Sequence, residues 1–192
     1  EGETELGAMP VFAKGLGYDF DLLGISMART GKHFGIIMKL VKGLGFPYLA
    51  MVDKDVLVNI EGSIETSDGR KDTSPLFCNL STIGLLTDAQ KKTISEADGD
   101  IAVVDGIRVY SGVIRKLSSI AKTHSVFVLP SDFESILSGP KYKDIFDQAQ
   151  ALYESKVSRG KYCAQEIIRQ QRRIPTKISA VVEAIVSKAK SA

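Results

Sequence analysis

The stretch FPYLAMVDKDVLV, residues 46–58, decides the fold of this chain. Residues 48–52 form an apolar run of strand length, which predicts a buried β-strand. The run ends at Asp53 and Asp55, two carboxylates separated by a single lysine. In a parallel α/β sheet, ligands bind outside the carboxyl ends of the strands. The position of the two aspartates therefore predicts a binding site at the end of this strand.

The segments before this strand alternate between helical and strand patterns. ELGAMPVFAKGLG, residues 5–17, has apolar residues at a helical spacing, and DLLGISMAR, residues 21–29, is typical of a short strand. HFGIIMKLVKGLG, residues 33–45, places apolar residues on one predicted helical face; these are Phe34, Ile37, Met38, Val41 and Leu44. This order predicts an α/β fold with a parallel, Rossmann-like sheet flanked by helices.

The rest of the chain is expected to add an insertion and a helical tail. Residues 61–75 are polar and turn-rich, Thr87 and Gln90 form a capping-box pattern, and residues 107–122 are predicted to form a second inserted helix. Residues 125–130 return to a strand pattern, SDFESIL favours a helix, and Pro175 is expected to start the last helix. We expect one domain, with a core of residues 1–58 and 124–138, a helical insertion of residues 59–123 and a basic helical tail of residues 139–192.

Composition describes an ordinary globular protein with an uneven charge. Of the 192 residues, 44% are hydrophobic and 25% are charged. Residues 139–192 hold 11 Lys and Arg against 5 Asp and Glu, a balance of +6, whereas the remainder has a balance of −4. A basic tail beside an acidic body suits a polyanionic partner, although a solvated pair of helices would look the same.

No apolar stretch approaches the length of about 20 residues that a membrane-spanning helix needs, so no membrane partner is expected. The two isolated cysteines favour reduced thiols and a cytoplasmic location. The chain begins without Met, and we interpret it as a piece of a longer protein, monomeric as an isolated fragment.

Two carboxylates on one side of a strand end repel each other unless a cation neutralises them. Residues i and i+2 of a continuing strand point to the same side, so Asp53 and Asp55 would share a site. Mg²⁺ is coordinated by oxygen and commonly uses one or two carboxylates together with water and phosphate oxygens. The alternative is a solvated loop after the strand, which describes most Asp-X-Asp triplets.

Three further acids extend the predicted metal site. Glu1 and Glu5 lie four residues apart where a loop enters a helix, although acids also favour the first turn because of the helix dipole. Glu134 follows the second apolar strand. Ser131 and Glu134 could instead form a capping box, or the capping and metal-binding roles could be divided between Asp132 and Glu134.

Two other motifs are incomplete. ARTGKHF resembles a P-loop, but Ser26 stands in place of the first glycine and His33 in place of the Ser or Thr that binds Mg²⁺. The Asp-X-Asp triplet with GDIAVVD, residues 99–105, resembles a phosphatase of the haloacid-dehalogenase type. However, Leu57 falls where that motif has Thr or Val, and a polar helix end precedes the Gly-Asp pair. The phosphatase remains a minor alternative.

EGETE, LLGISMARTGKHF and LVKGLGFPYLAMVDKD, in this order and at these spacings, resemble the TOPRIM domain of the OLD (overcoming lysogenisation defect) family of nucleases, in its C-terminal catalytic region. The resemblance covers residues 1–55 well and residues 125–137 in part. The sequence departs from the family pattern in two places. No apolar strand precedes Glu1, and the TGKH turn has one glycine fewer than the family's Gly-Gly-Lys.

The resemblance implies an endonuclease or nickase that hydrolyses DNA phosphodiester bonds with two Mg²⁺ or Mn²⁺ ions. The implied metal ligands are Glu1, Glu5, Asp53, Asp55 and Glu134. It also implies a catalytic lysine near the metals, for which Lys161 is preferred over Lys141. In this family the nuclease domain is coupled to an upstream ABC-type ATPase, which this chain lacks.

Three arginines of the tail are the predicted DNA contacts. Arg169, Arg172 and Arg173 are expected to share one helical face and to bind the phosphate backbone without reading bases.

The sequence leaves two alternatives to the nuclease function open. One is a topoisomerase or primase fragment, and the other is a catalytically silent TOPRIM module that binds DNA or a partner protein.

Overall fold

The computed structural model describes residues 2–31, 34–57, 74–97, 99–104 and 107–191. The elements, in chain order, are α1 (Glu3–Gly15), α2 (Phe34–Gly43), β1 (Ala50–Val52), a 3₁₀ turn (Lys54–Leu57), α3 (Pro75–Thr82), α4 (Asp88–Ser95), β2 (Ile101–Val104), β3 (Ile107–Tyr110), α5 (Ser111–Thr123), β4 (Val126–Val128), α6 (Phe133–Leu137), α7 (Lys143–Leu152), α8 (Lys156–Arg169) and α9 (Thr176–Lys190).

The chain forms two compact units. Unit 1 comprises residues 1–31 and 131–192, and unit 2 comprises residues 32–130. Residues 139–192 thus lie in the same unit as α1. The expected division into core, insertion and tail stays a prediction.

Unit 1 is helical where the structure describes it, and its centre is the contact between α1 and α8. Two glycines allow the two backbones to approach closely. A Cβ built on Gly7 of α1 would lie 1.9 Å from the Val157 carbonyl oxygen, and one built on Gly160 of α8 would lie 2.2 Å from the Thr4 carbonyl oxygen. Apolar side chains from α1, α8 and α9 complete the core; they include Met9, Phe12, Ile167, Val181 and Val182.

Unit 2 contains a parallel pair of strands, as the sequence predicts. β1 pairs with β4 in the register Ala50↔Val126 to Val52↔Val128. The ladder continues past the strand end, because the Leu129 N–H donates to the Val52 carbonyl at 2.8 Å. The core of this unit packs around the pair and includes Phe34, Leu76, Leu80 and Leu117.

Several predicted elements are confirmed. Helices form at α1 and α2, Thr87 caps α4 in a full capping box with Gln90, β4 lies within residues 125–130, and α9 follows Pro175. The α/β fold class with a parallel sheet is confirmed, although the parallel sheet has two strands among the described residues.

The predicted strand at residues 21–29 is wrong. Residues 21–24 form a turn, and residues 25–29 are neither helix nor strand in the described structure. Gly24 has a φ of +66°, and the Asp19 carboxylate accepts hydrogen bonds from the backbone N–H groups of Asp21 and Leu22. This local turn competes with strand pairing, and Leu22 is left 87% exposed.

The predicted helix over residues 107–122 is wrong in its first turn. Residues 107–110 form β3, which pairs antiparallel with β2, and the helix begins at Ser111. Ile, Val and Tyr in this segment favour a strand once a partner strand is available.

The predicted buried face of α2 is only partly correct, because Phe34 and Met38 are buried whereas Ile37 and Leu44 are exposed.

Candidate active site

Asp53 lies directly after β1, at its carboxyl end, as the sequence predicts. The strand does not continue to Asp55, because the chain turns into a 3₁₀ helix at Lys54 that buries Val56 and Leu57. The prediction that Asp53 and Asp55 point to the same side assumed a continuous strand. Because the strand ends before Asp55, strand alternation does not relate the two carboxylates. Both side chains are half-buried, and the Oδ1 atom of each is buried.

Glu134 lies in the first turn of α6 and is held by two donors on one oxygen. The Thr4 hydroxyl donates to Glu134 Oε1 at 2.8 Å, and Lys156 Nζ lies 3.0 Å from the same atom. The side chain of Glu134 is 37% exposed. It thus forms an oriented carboxylate at the surface of unit 1.

The capping role belongs to Asp132 rather than to Ser131. Asp132 is the N-cap of α6, and its carboxylate accepts a hydrogen bond from the Ser135 N–H at 2.6 Å. Glu134 is therefore not the third residue of a Ser131 capping box. The division of roles between Asp132 and Glu134 is confirmed for the cap, and a metal-binding role of Glu134 stays a prediction.

Glu5 lies in the first turn of α1 and is 4% exposed. Its carboxylate folds back over the N-cap residue: a Cβ built on Gly2 would lie 2.4 Å from Glu5 Oε2. Acidic side chains are common in the first turn, because the amino end of a helix carries partial positive charge. Glu3, in the same turn, pairs with Arg29. Glu1 lies outside the described residues.

The two predicted lysines lie on the surface of unit 1. Lys161 is exposed on α8, and its backbone nitrogen lies 3.0 Å from a Cβ built on Gly7 of α1. Lys141 is exposed before α7, and its carbonyl accepts a hydrogen bond from Arg172. Lys156, which was not predicted from the sequence, forms an ion pair with the predicted acid Glu134. No local sequence signal marks this pair, because it depends on the packing of α8 against α1.

The three tail arginines do not share a helical face. The helix α8 ends at Arg169, and Gln171 has a φ of +54°, so Arg172 and Arg173 lie beyond the helix. A left-handed residue ends the helical repeat that the prediction assumed.

Two of these arginines are engaged with carboxylates. Arg169 Nη2 lies 2.6 Å from Glu166, and Arg172 donates to both oxygens of Asp144. The hydrogen bonds from Arg169 lower the pKa of Glu166, and those from Arg172 lower the pKa of Asp144. Contact of these arginines with DNA stays a prediction.

The donor chemistry of the acids fits a hard divalent cation, because all of them present carboxylate oxygens. Glu5 and Glu134 belong to unit 1, and Asp53 and Asp55 to unit 2. Within the parts of the chain that the structure describes, no three His, Cys, Asp or Glu side chains lie close enough together to hold a metal ion. Convergence of the five predicted acids stays a prediction.

Comparison with known proteins identifies the amino-terminal part of the chain. Residues 1–55, which include Glu5, Asp53 and Asp55, match the family model described as "Overcoming lysogenization defect protein-like, TOPRIM domain". Residues 1–55 carry OLD-like TOPRIM sequence. The resemblance to the OLD family is confirmed by this match.

Solved structures with the OLD fold extend the likeness over the whole chain. The C-terminal region of the Xanthomonas campestris pv. campestris OLD protein, phased with platinum, aligns with a TM-score of 0.60 and 16% identity, covering 100% of this chain and 91% of that one. The same region phased with mercury gives 0.59 and 17%, covering 100% and 94%. At this identity the likeness shows that the fold is that of an OLD C-terminal region. Comparison with curated protein sequences gives no significant match.

Among the described residues, no helix is both long enough and apolar enough to cross a membrane.

Proposed function

We propose that this chain is a metal-dependent DNA endonuclease domain that nicks or cleaves phosphodiester bonds. The observation that carries the proposal is the OLD-like TOPRIM match over residues 1–55 together with the position of Asp53 at the carboxyl end of β1. Asp55 follows in the 3₁₀ turn, and each aspartate has one buried carboxylate oxygen.

The proposed ligands are Asp53, Asp55, Glu5 and Glu134, with Glu1 as the fifth acid. Two bound Mg²⁺ or Mn²⁺ ions would supply Lewis-acid stabilisation of the phosphate and a more acidic water. The backbone turn at residues 54–57 holds Asp55, and Thr4 and Lys156 orient Glu134. Lys161, or in its place Lys141, would contact the phosphate and offset the charge that develops on it.

Nicking of supercoiled plasmid in Mn²⁺ or Mg²⁺, with and without a chelator, tests this proposal. We expect Asp53→Asn and Asp55→Asn each to lower the nicking rate by about 100-fold or more, because each keeps the side-chain volume but removes a charged ligand. Circular dichroism checks that the fold is kept, and gel shifts in chelator check DNA affinity.

Asp88→Asn is the matched control, because Asp88 is a fully exposed aspartate of α4 that pairs with Lys91 on the surface. Its nicking rate should equal that of the wild type. Metal-dependent nicking at the wild-type rate in both Asp53→Asn and Asp55→Asn would refute the ligand assignment. DNA binding without any cleavage would instead favour a silent TOPRIM module.

We further propose that residues 139–192 bind the DNA backbone through Arg169, Arg172 and Arg173. Affinity should then fall with salt, with a log–log slope of about −0.9 per phosphate contacted. Changing all three to Gln should flatten the slope and weaken binding to unrelated sequences alike. A triple Gln variant of three α9 lysines, Lys177, Lys188 and Lys190, removes the same charge and should leave the slope unchanged. An equal effect of both triple variants would indicate general charge attraction and refute the assignment.

The resemblance to the OLD family also motivates a proposed coupling to an ABC-type ATPase and a cytoplasmic location. The matched structures are named as the C-terminal region of an OLD protein, which supports a place within a longer polypeptide. Adding a purified OLD-type ATPase with ATP to the nicking reaction would test the coupling, and an unchanged nicking rate would argue against it.

A further inference from the structure

The carboxylate of Glu134 and its two partners come from the first turns of three helices of unit 1. Glu134 lies in the first turn of α6, Thr4 in the first turn of α1, and Lys156 is the first residue of α8. Thr4 Oγ1 donates to Glu134 Oε1 at 2.8 Å, and Lys156 Nζ is 3.0 Å from the same oxygen. Both donors occupy one oxygen of the carboxylate, so they fix its direction.

Lys156 stands where a helix disfavours a cation. The amino end of a helix carries partial positive charge, which repels a lysine in the first turn. The position one turn later, which could hold a compensating acid, is Gly160. Lys156 instead pairs with the carboxylate of Glu134, 22 positions earlier in the chain.

Helix packing holds this lysine in place. Gly160 brings α8 so close to α1 that a Cβ there would lie 2.2 Å from the Thr4 carbonyl oxygen. Lys156 lies on the same face of α8, one turn before this contact. The contact between α1 and α8 thus sets Lys156 and Thr4 beside the same glutamate.

The ion pair is nevertheless accessible and weak. The side chains of Lys156 and Glu134 are 54% and 37% exposed. Exposed ion pairs of this kind contribute little, because water and salt screen them. A divalent ion, with twice the charge, can displace an ammonium group from such a carboxylate.

We propose that Lys156 is a positioning residue that competes with a divalent metal ion for the Glu134 carboxylate. In the metal-free chain it neutralises and orients Glu134, and metal binding releases its ammonium group. The inference rests on the proposed function, since it takes Glu134 as a metal ligand. It adds that Lys156 competes with the metal ion for this ligand. Its consequence is that Lys156 lowers the affinity of the metal-free chain for metal.

Isothermal titration of the 192-residue chain with Mn²⁺, without DNA, tests the competition. Lys156→Met keeps much of the aliphatic stem and removes the charge, and we expect it to tighten Mn²⁺ binding by about fivefold. Lys156→Arg, which keeps the cation, should bind Mn²⁺ as the wild type does. Lys177→Met is the matched control, because Lys177 is an exposed lysine in the first turn of α9. Its affinity should stay within about twofold of the wild type.

The same titration in a Glu134→Gln background separates competition from a general field effect. Competition requires the Glu134 carboxylate, so Lys156→Met should leave the affinity unchanged there. A similar gain in both backgrounds would show that the lysine acts only through its field, and would overturn the inference.

Failure of the inference can be distinguished from failure of the proposed function. A wild type that binds Mn²⁺ and nicks plasmid, with no tighter binding in Lys156→Met, overturns the inference and leaves the nuclease standing. A wild type that binds no Mn²⁺ overturns both.

Discussion

The close contact between α1 and α8 makes Gly160→Ala a severe test of the packing in unit 1. The new Cβ would lie 2.2 Å from the Thr4 carbonyl oxygen and 3.0 Å from Thr4 Cγ2. Ordinary contacts begin at 3.4 Å, so the atoms are about 1.2 Å too close to the carbonyl. A backbone carbonyl cannot rotate aside as a flexible side chain can, so the two helices must separate.

The expected cost combines two opposing effects. Overpacking of a well-packed contact costs up to about 3 kcal/mol, and Ala gains about 1 kcal/mol over Gly inside a helix. We therefore expect Gly160→Ala to lower the free energy of unfolding by about 2 kcal/mol, or the Tm by about 4–8 °C. Urea and thermal unfolding followed by circular dichroism measure both quantities.

Gly43→Ala is the control, since no described atom beyond its chain neighbours and its own helix backbone lies within 4 Å of a Cβ built there, at the end of α2. It should be neutral or slightly stabilising. Gly7→Ala meets the Val157 carbonyl at 1.9 Å, so it should destabilise as well. The double variant of Gly7 and Gly160 should cost less than the sum of the two, because the helices have already separated. Unchanged or raised stability of Gly160→Ala would refute the close contact.

Two further predictions concern titration and reactivity. The hydrogen bonds from Arg172 lower the pKa of Asp144, so Arg172→Gln should return that pKa toward its ordinary value in a carbon-detected NMR titration. The stability that this pair contributes should be present above the ordinary pKa of an aspartate and be lost as the pH falls through the lowered one, and a pKa unchanged in the variant would contradict this. Burial raises the pKa of the Cys163 thiol to about 11. At pH 8 a thiol reagent should therefore modify the exposed Cys78 and leave Cys163 unmodified until the chain unfolds, as mass spectrometry would show; equal labelling of both would contradict this burial.

The sequence by itself determined the elements whose signals are local. The apolar run before Asp53 predicted β1, and the Thr87 and Gln90 pair predicted the start of α4, because a cap depends on residues three positions apart. The order of the motifs in residues 1–55 was sufficient for the OLD-like TOPRIM resemblance.

The tertiary structure decided the features that depend on distant partners. Residues 107–110 became a strand rather than a helix because β2 offers them an antiparallel partner. The strand ends before Asp55 because the chain turns into a 3₁₀ helix that buries Val56 and Leu57 in the core of unit 2. Arrangements of this kind are not encoded in strand periodicity.

The Glu134 carboxylate shows the same limit most clearly. Its hydrogen bond to Thr4 joins residues 130 positions apart, and its ion pair to Lys156 depends on where α8 begins. Sequence spacing predicted an acid after the second strand, but only helix packing through Gly7 and Gly160 brings a hydroxyl and an ammonium group to it. Local sequence thus determined which residues carry the charges, and the close approach of α1 and α8 decided which of them meet.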